Sequence, residues 1–362
     1  LIMQNNQAIP FNKENFKQIL SKEFAWVIIV SIPGALIADF FDVPLAWFLG
    51  PMIVTSAVSL GGIKTKMPRL VLNGVLIVLG LYIGNYVDQS LFSQIHQWAW
   101  TSLIMLAYIV VSVLLVSKYL QKFSGYEEKT SIFSAAPGAL GPLLILAEDQ
   151  KSDLSHVATS HLIRLIIIIT VFPFVVNSFY DAENIKLTET IIEDQNISHL
   201  FILLALSIVL IIIFDKLKIP AALLAGTLIA SGFLQISEIA SYKLPSNIID
   251  YCLLILGSSV GCRFANKTFN EIAKNALHSF VATFLLVLLG IIAALIAGLV
   301  IDKNFFTLLL SYCPGGIYEV AVIAIFFGLD PEFVSFHHII RLLMILFVVP
   351  VILKVIGKKK PA

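Results

Sequence analysis

The segment HLIRLIIIITVFP at His161–Pro173 returns 177 residues later as HIIRLLMILFVVP at His338–Pro350. It does not return alone. APGALGPLLILA (Ala136–Ala147) reappears as CPGGIYEVAVIA (Cys313–Ala324), and LGLYIG (Leu79–Gly84) as LGSSVG (Leu256–Gly261). VPLAWFLGPMI (Val43–Ile53) reappears as IPAALLAGTLI (Ile219–Ile229). From the LG motif onward the register is kept without a gap, which marks an internal duplication. Whatever the chain folds into, it must do twice.

What each copy builds follows from hydropathy. Hydrophobic residues make up 58% of the 362 and charged residues 13%, where a soluble domain carries about 25% charged residues. The apolar runs have the length of about 17–25 residues that crosses a bilayer core. Twelve apolar elements can be counted, six on each side of a polar, acidic stretch near Asn177–His199. The divisions are a polar N-terminal segment over 1–23, a first membrane repeat over 24–176, a polar linker over 177–198, a second repeat over 199–355 and a basic tail over 356–362. The N-terminal segment has no secretory apolar core. Cys252, Cys262 and Cys313 form no CxxC pair and sit in or beside apolar runs, where cysteine acts as a small hydrophobe.

Within each repeat one element breaks the helical grammar: SAAPGALGP around Pro137-Gly138 and SYCPGGIYE around Pro314-Gly315-Gly316. Proline and glycine stop helices, and Glu319 is costly in lipid. If all twelve elements cross, Lys216, Lys218, Arg263, Lys267 and Lys274 fall outside with an N-terminus inside. If each Pro-Gly element instead enters and leaves on one side, only Lys186, Lys243 and Lys303 lie outside, in better accord with the excess of basic residues in cytoplasmic loops. Five crossings is an odd number, so the two repeats are then inverted. The expected fold is an all-α polytopic membrane protein of two inverted-topology repeats, each of about five transmembrane helices plus a broken or re-entrant Pro-Gly element. Both termini are expected in the cytoplasm. A kinked continuous helix is the alternative for the Pro-Gly elements.

The P…LGP element, the LG…G helix, the Pro-Gly element and the following His…Arg helix resemble the AbrB family of bacterial membrane proteins, over about Ala25–Leu353. This family is distinct from the DNA-binding regulator of the same name. The resemblance implies a multi-pass protein of the bacterial inner membrane. Labels attached to the family, regulator of gene expression and ammonia monooxygenase, imply little firm chemistry. The first repeat departs from the second in placing Pro142 where Glu319 stands.

Paired interrupted helices in inverted halves are the best sequence pointer to a transport site. A helix starting after Pro-Gly directs free N–H groups and its positive dipole end at what precedes it, which suits an anion such as a small organic acid. The expected substrate site comprises Ser134, Pro137, Gly138, Ser311, Pro314, Gly315, Gly316, Tyr318 and Glu319, with Ser131 nearby. The alternative is that Pro and Gly only permit close helix crossing while the hydroxyls bond back to their own helices. Glu319 either binds a coupling ion or forms a structural pair. His161 with Arg164, and His338 with Arg341, share helix faces at a spacing of three; they either gate an anion or snorkel to the membrane surface. Gly80 and Gly84, like Gly257 and Gly261, form GxxxG, a close-packing signal.

No HExxH, P-loop, GxSxG or CxxCH motif occurs, and the seven histidines form no convincing metal cluster, so neither enzymatic activity nor a cofactor is expected. No loop is long enough to fold as a nucleic-acid module. The function expected is secondary transport of a small solute, with its anionic character, sodium or proton coupling and a homodimer left open. A membrane sensor or regulatory protein is the alternative, and a membrane enzyme the more remote one.

Overall fold

A computed structural model describes residues 17–357 apart from 88–89, 139, 181–196, 241, 243, 246 and 266. Most of the N-terminal segment, of the linker and of the basic tail therefore lies outside the described residues. Those described form helices and turns without a strand. Besides a short helical turn over 17–19, the described residues form seven helices in each half: α1 (Lys22–Phe40), α2 (Ala46–Leu60), α3 (Arg69–Gly84), α4 (Ser90–Ser124), α5 (Glu128–Ala135), α6 (Leu140–Asp149) and α7 (Leu154–Phe179), then α8 (Ile197–Lys216), α9 (Ala222–Ile236), α10 (Asn247–Cys262), α11 (Phe269–Ala297), α12 (Phe305–Tyr312), α13 (Ile317–Phe327) and α14 (Pro331–Gly357). Segments of α1, α4, α7, α8, α11 and α14 are long and apolar enough to cross a membrane. The chain is an all-helical polytopic membrane protein.

The count exceeds the twelve apolar elements of the sequence because each Pro-Gly element is two helices. Ala136 and Cys313, each just before a proline, leave the helical region with ψ 129° and 131°. The proline ring forbids the helical conformation to the residue before it. At a rise of about 1.5 Å per residue, each of α5, α6, α12 and α13 is about 12–17 Å long, roughly half a membrane core.

The halves repeat even where the backbone is strained. Left-handed residues occur in matching pairs: Asp42 with Lys218, Leu45 with Ala221, Gly62 with Glu238, and Lys151 with Gly328. Leu45 and Ala221 are the residues preceding α2 and α9. Such conformations cost about 1–3 kcal/mol for a residue other than glycine, so their recurrence shows that the surrounding packing imposes them twice.

Two compact units form, and each draws on both halves: residues up to Phe92 with Val176–Thr268 and Ile325–Glu332, and Ser93–Val175 with Phe269–Ala324 and Phe333 onward. In the first unit, helices pair across the halves, α2 on α10 and α3 on α9. The GxxxG residues lie at these crossings. A methyl on Gly257 would collide with the Phe48 carbonyl and one on Gly261 with Thr55 and Ser56; methyls on Gly80 and Gly84 would strike Thr227 and Ser231. Hydroxyls add to this packing: the Ser31 oxygen of α1 and the Ser258 oxygen of α10 lie 2.6 Å apart, and on the α3–α9 seam Ser231 donates to the Leu81 carbonyl at 3.0 Å.

In the second unit, Val116, Leu120, Tyr126, Ala135, Ala282 and Leu286 form an apolar cluster. Tyr312 donates to the Thr101 carbonyl at 2.7 Å, and Trp98 packs edge-on against Phe333 with ring centroids 5.2 Å apart. The first of these ties the end of α12, which runs into the second break, to α4.

Candidate functional site

Every helix that ends inside apolar surroundings leaves up to four carbonyls without partners. At the ends of α5 and α12 those carbonyls are taken by the His–Arg pairs of α7 and α14. His161 Nε2 lies 3.0 Å from the Phe133 carbonyl oxygen, and His338 Nε2 lies 2.9 Å from that of Leu310. Arg164 donates from Nη1 to the Ala136 carbonyl at 2.5 Å and from Nη2 to that of Ser134. Arg341 donates from Nη1 to the Cys313 carbonyl and from Nη2 to that of Gly315 at 2.7 Å. A cation at a helix C-terminus also meets the negative end of the dipole. The two breaks are thus clamped in the same way.

The arginines do not snorkel to an exposed surface: Arg164 is 2% exposed and Arg341 0%. Among the described residues neither is ion-paired to a carboxylate, and both Nε–H groups lack an acceptor. His338 adds no negative charge. If its Nε2–H donates to Leu310, its Nδ1 accepts from Arg341 Nη2 at 3.0 Å, as a neutral ring does. Two buried cations held by neutral groups are costly unless a counter-anion joins them.

Arg341 also reaches the first break. Gly138 has φ +121°, and a side chain there would meet the Arg341 guanidinium, with Nη2 at 3.1 Å and Nε at 3.3 Å from the Cβ position. Arg341 therefore connects both breaks, bonding the carbonyls of one and lying against the glycine of the other.

The remaining expected site residues divide. Pro137, Pro314 and Gly315 are buried in the breaks, while Gly138, Gly316 and Tyr318 are half-buried. Ser311 donates to the Thr307 carbonyl at 2.8 Å, and Ser131 donates to the Glu128 carbonyl at 2.7 Å while accepting from Gln121. Both hydroxyls are spent on their own helices or a neighbour. Ser134 is fully buried, and its Oγ has no hydrogen-bond partner among the described residues. Glu319 is 2% exposed and third in α13; its carboxylate folds back over Gly316, where an added methyl would strike it. This is the arrangement of a capping-box glutamate at a helix N-terminus.

Three neighbours escaped the sequence reading. Tyr108 is 4% exposed and packs edge-on against Tyr312. His337 Nε2 lies 2.8 Å from the Thr101 hydroxyl, and its Nδ1 lies 2.9 Å from the Phe333 carbonyl. Aromatic and threonine residues inside apolar runs carry no periodic signal that separates them from core. A cavity of about 240 Å³ is lined by Glu128, Lys129, Phe133, Gln150 and Lys354 among others and by neither arginine. Among the described residues no group of three or more His, Cys, Asp or Glu could hold a metal.

The family model described as transition state regulatory protein AbrB matches residues 47–357. A protein of Escherichia coli (strain K12) named "Putative regulator AbrB" is 24% identical over 325 residues, covering 88% of this chain and 92% of that protein. A protein of Bacillus subtilis (strain 168) named "Uncharacterized protein YhjN" is 21% identical over 348 residues, covering 90% of this chain and 91% of its own. No solved structure matches this chain.

Proposed function

The chain belongs to the AbrB family, and we propose that it is a secondary transporter of a small anionic solute, bound where the two Pro-Gly breaks meet Arg164 and Arg341. One observation carries this reading: two buried guanidiniums at the breaks, neither ion-paired to a carboxylate among the described residues. Buried charge without a partner is a functional pointer in a membrane protein, and half-helices that start at such a place are suited to anions. On this reading the repeats are inverted and sit in the bacterial cytoplasmic membrane with both termini inside. The protein performs no covalent chemistry and contacts no nucleic acid directly. Sodium or protons supply the drive.

The test uses purified full-length protein in liposomes, with currents or uptake evoked by jumps in acetate, lactate, chloride or sulfate, with and without proton and sodium gradients. Saturable flux of at least one anion above protein-free liposomes is expected. Binding without flux for every anion overturns transport. That outcome favours the second reading, a membrane sensor or regulator, which the name of the Escherichia coli relative supports.

A further inference from the structure

The duplication supplies two half-helix N-termini but only one acid. In the second half, α13 begins at Ile317 and the Glu319 carboxylate lies over Gly316, at the place where an anion bound to that helix end would sit. In the first half, α6 begins at Leu140, and the residue aligned with Glu319 is Pro142. Proline brings neither charge nor an N–H of its own, and at the first turn of a helix it costs no hydrogen bond. The first break instead has the Arg341 guanidinium against Gly138, and among the described residues the buried Arg341 Nε–H lacks an acceptor and the buried Ser134 hydroxyl a partner. Each break carries one arginine, but only the second has an acid at the start of its half-helix, so the first is left with a surplus of a single positive charge.

We propose that Glu319 is a tethered anion occupying the second-half cradle, and that the first-half cradle, formed by the start of α6 with Arg341 against Gly138, binds one small monovalent anion. This rests on the transport reading and narrows its substrate class. A monovalent anion cancels the surplus, whereas a dianion reverses it in a place that disfavours net charge. The sequence difference between the halves thereby becomes the specificity device: one copy carries its anion covalently, the other receives it from solution.

The experiment transfers the tether. Full-length protein in detergent is melted against increasing acetate, chloride and sulfate, in the wild type, Pro142→Glu, Pro142→Gln, and Pro142→Glu combined with Glu319→Gln. Circular dichroism and size-exclusion profiles check that each variant is folded. The wild type should show a midpoint shift that saturates with acetate or chloride beyond the non-saturating effect of sulfate. Pro142→Glu should lose it, because a second tethered carboxylate fills the remaining cradle. Pro142→Gln, with the same shape and no charge, should keep it. The double variant should regain it, the tether having moved from one half to the other. A saturable shift that survives Pro142→Glu overturns the inference, as does loss in Pro142→Gln or failure of the folded double variant to recover; the transport reading survives all three. A wild type that responds saturably to sulfate overturns the monovalent assignment alone. A wild type with no saturable response to any of the three salts overturns the inference and the anion-site reading together.

Discussion

Gly257→Ala and Gly74→Ala make the same chemical change in paired helices and are expected to move stability in opposite directions. In a free helix, alanine is favoured over glycine by about 1 kcal/mol. At Gly74, in α3, nothing lies within 4 Å of the new methyl, so that gain is expected almost in full. At Gly257, in α10, the methyl falls inside the contact distance of the Phe48 carbonyl and lies 3.2 Å from the Phe48 Cα. These are main-chain atoms of α2 and cannot swing aside as a side-chain tip would. The two helices must separate, and overpacking of this kind costs about 1–3 kcal/mol. Subtracting the propensity gain leaves a net loss of up to about 2 kcal/mol and a gap of about 1–3 kcal/mol between the variants. Thermal unfolding in one detergent, followed by circular dichroism, reads this as a lower midpoint for Gly257→Ala and a raised one for Gly74→Ala. Equal midpoints would refute the claim that α2 and α10 meet backbone to backbone.

Gly138→Ala should cost about 1–3 kcal/mol from its backbone alone, since φ +121° is a region that side chains rarely adopt; the same methyl presses on Arg341, so anion-induced stabilisation should fall with it in the melting assay. Asp153 caps α7, accepting from the His156 main-chain N–H at 3.0 Å and contacting the His156 ring at 2.7 Å. Partial burial works against its charged form, but the hydrogen bonds and charge of His156 outweigh that and hold the carboxyl below its ordinary value. A depressed folded-state value means the cap contributes above the unfolded carboxylate range, near pH 4, and is lost as pH falls through the lower folded value. Asp153→Asn should therefore lower the midpoint at neutral pH and leave a shallower decline on the acid side.

How much was legible in the sequence depended on whether a feature is local. The breaks at Pro137 and Pro314 were readable because a proline acts on the residue just before it. GxxxG announced close approach, but not that each motif meets the other half of the chain. The left-handed turns at Leu45, Lys218 and Ala221 had no signal, since none of these residues prefers that conformation and packing imposes it. The arginines were visible and their task was not. Their acceptors lie 26 to 30 residues away in the sequence, so spacing along one helix left surface snorkelling open. Yet a physical signal existed. A helix interrupted inside the bilayer frees carbonyls that no water can satisfy, and a guanidinium with five donors in the same repeat answers that need. That duty is duplicated in both halves and so belongs to the scaffold. Arg341 crosses from the second break to Gly138 of the first, and Glu319 has no acidic counterpart at Pro142. In a protein made of two copies, shared residues build the frame. The departures from symmetry are where one copy has been given something to hold.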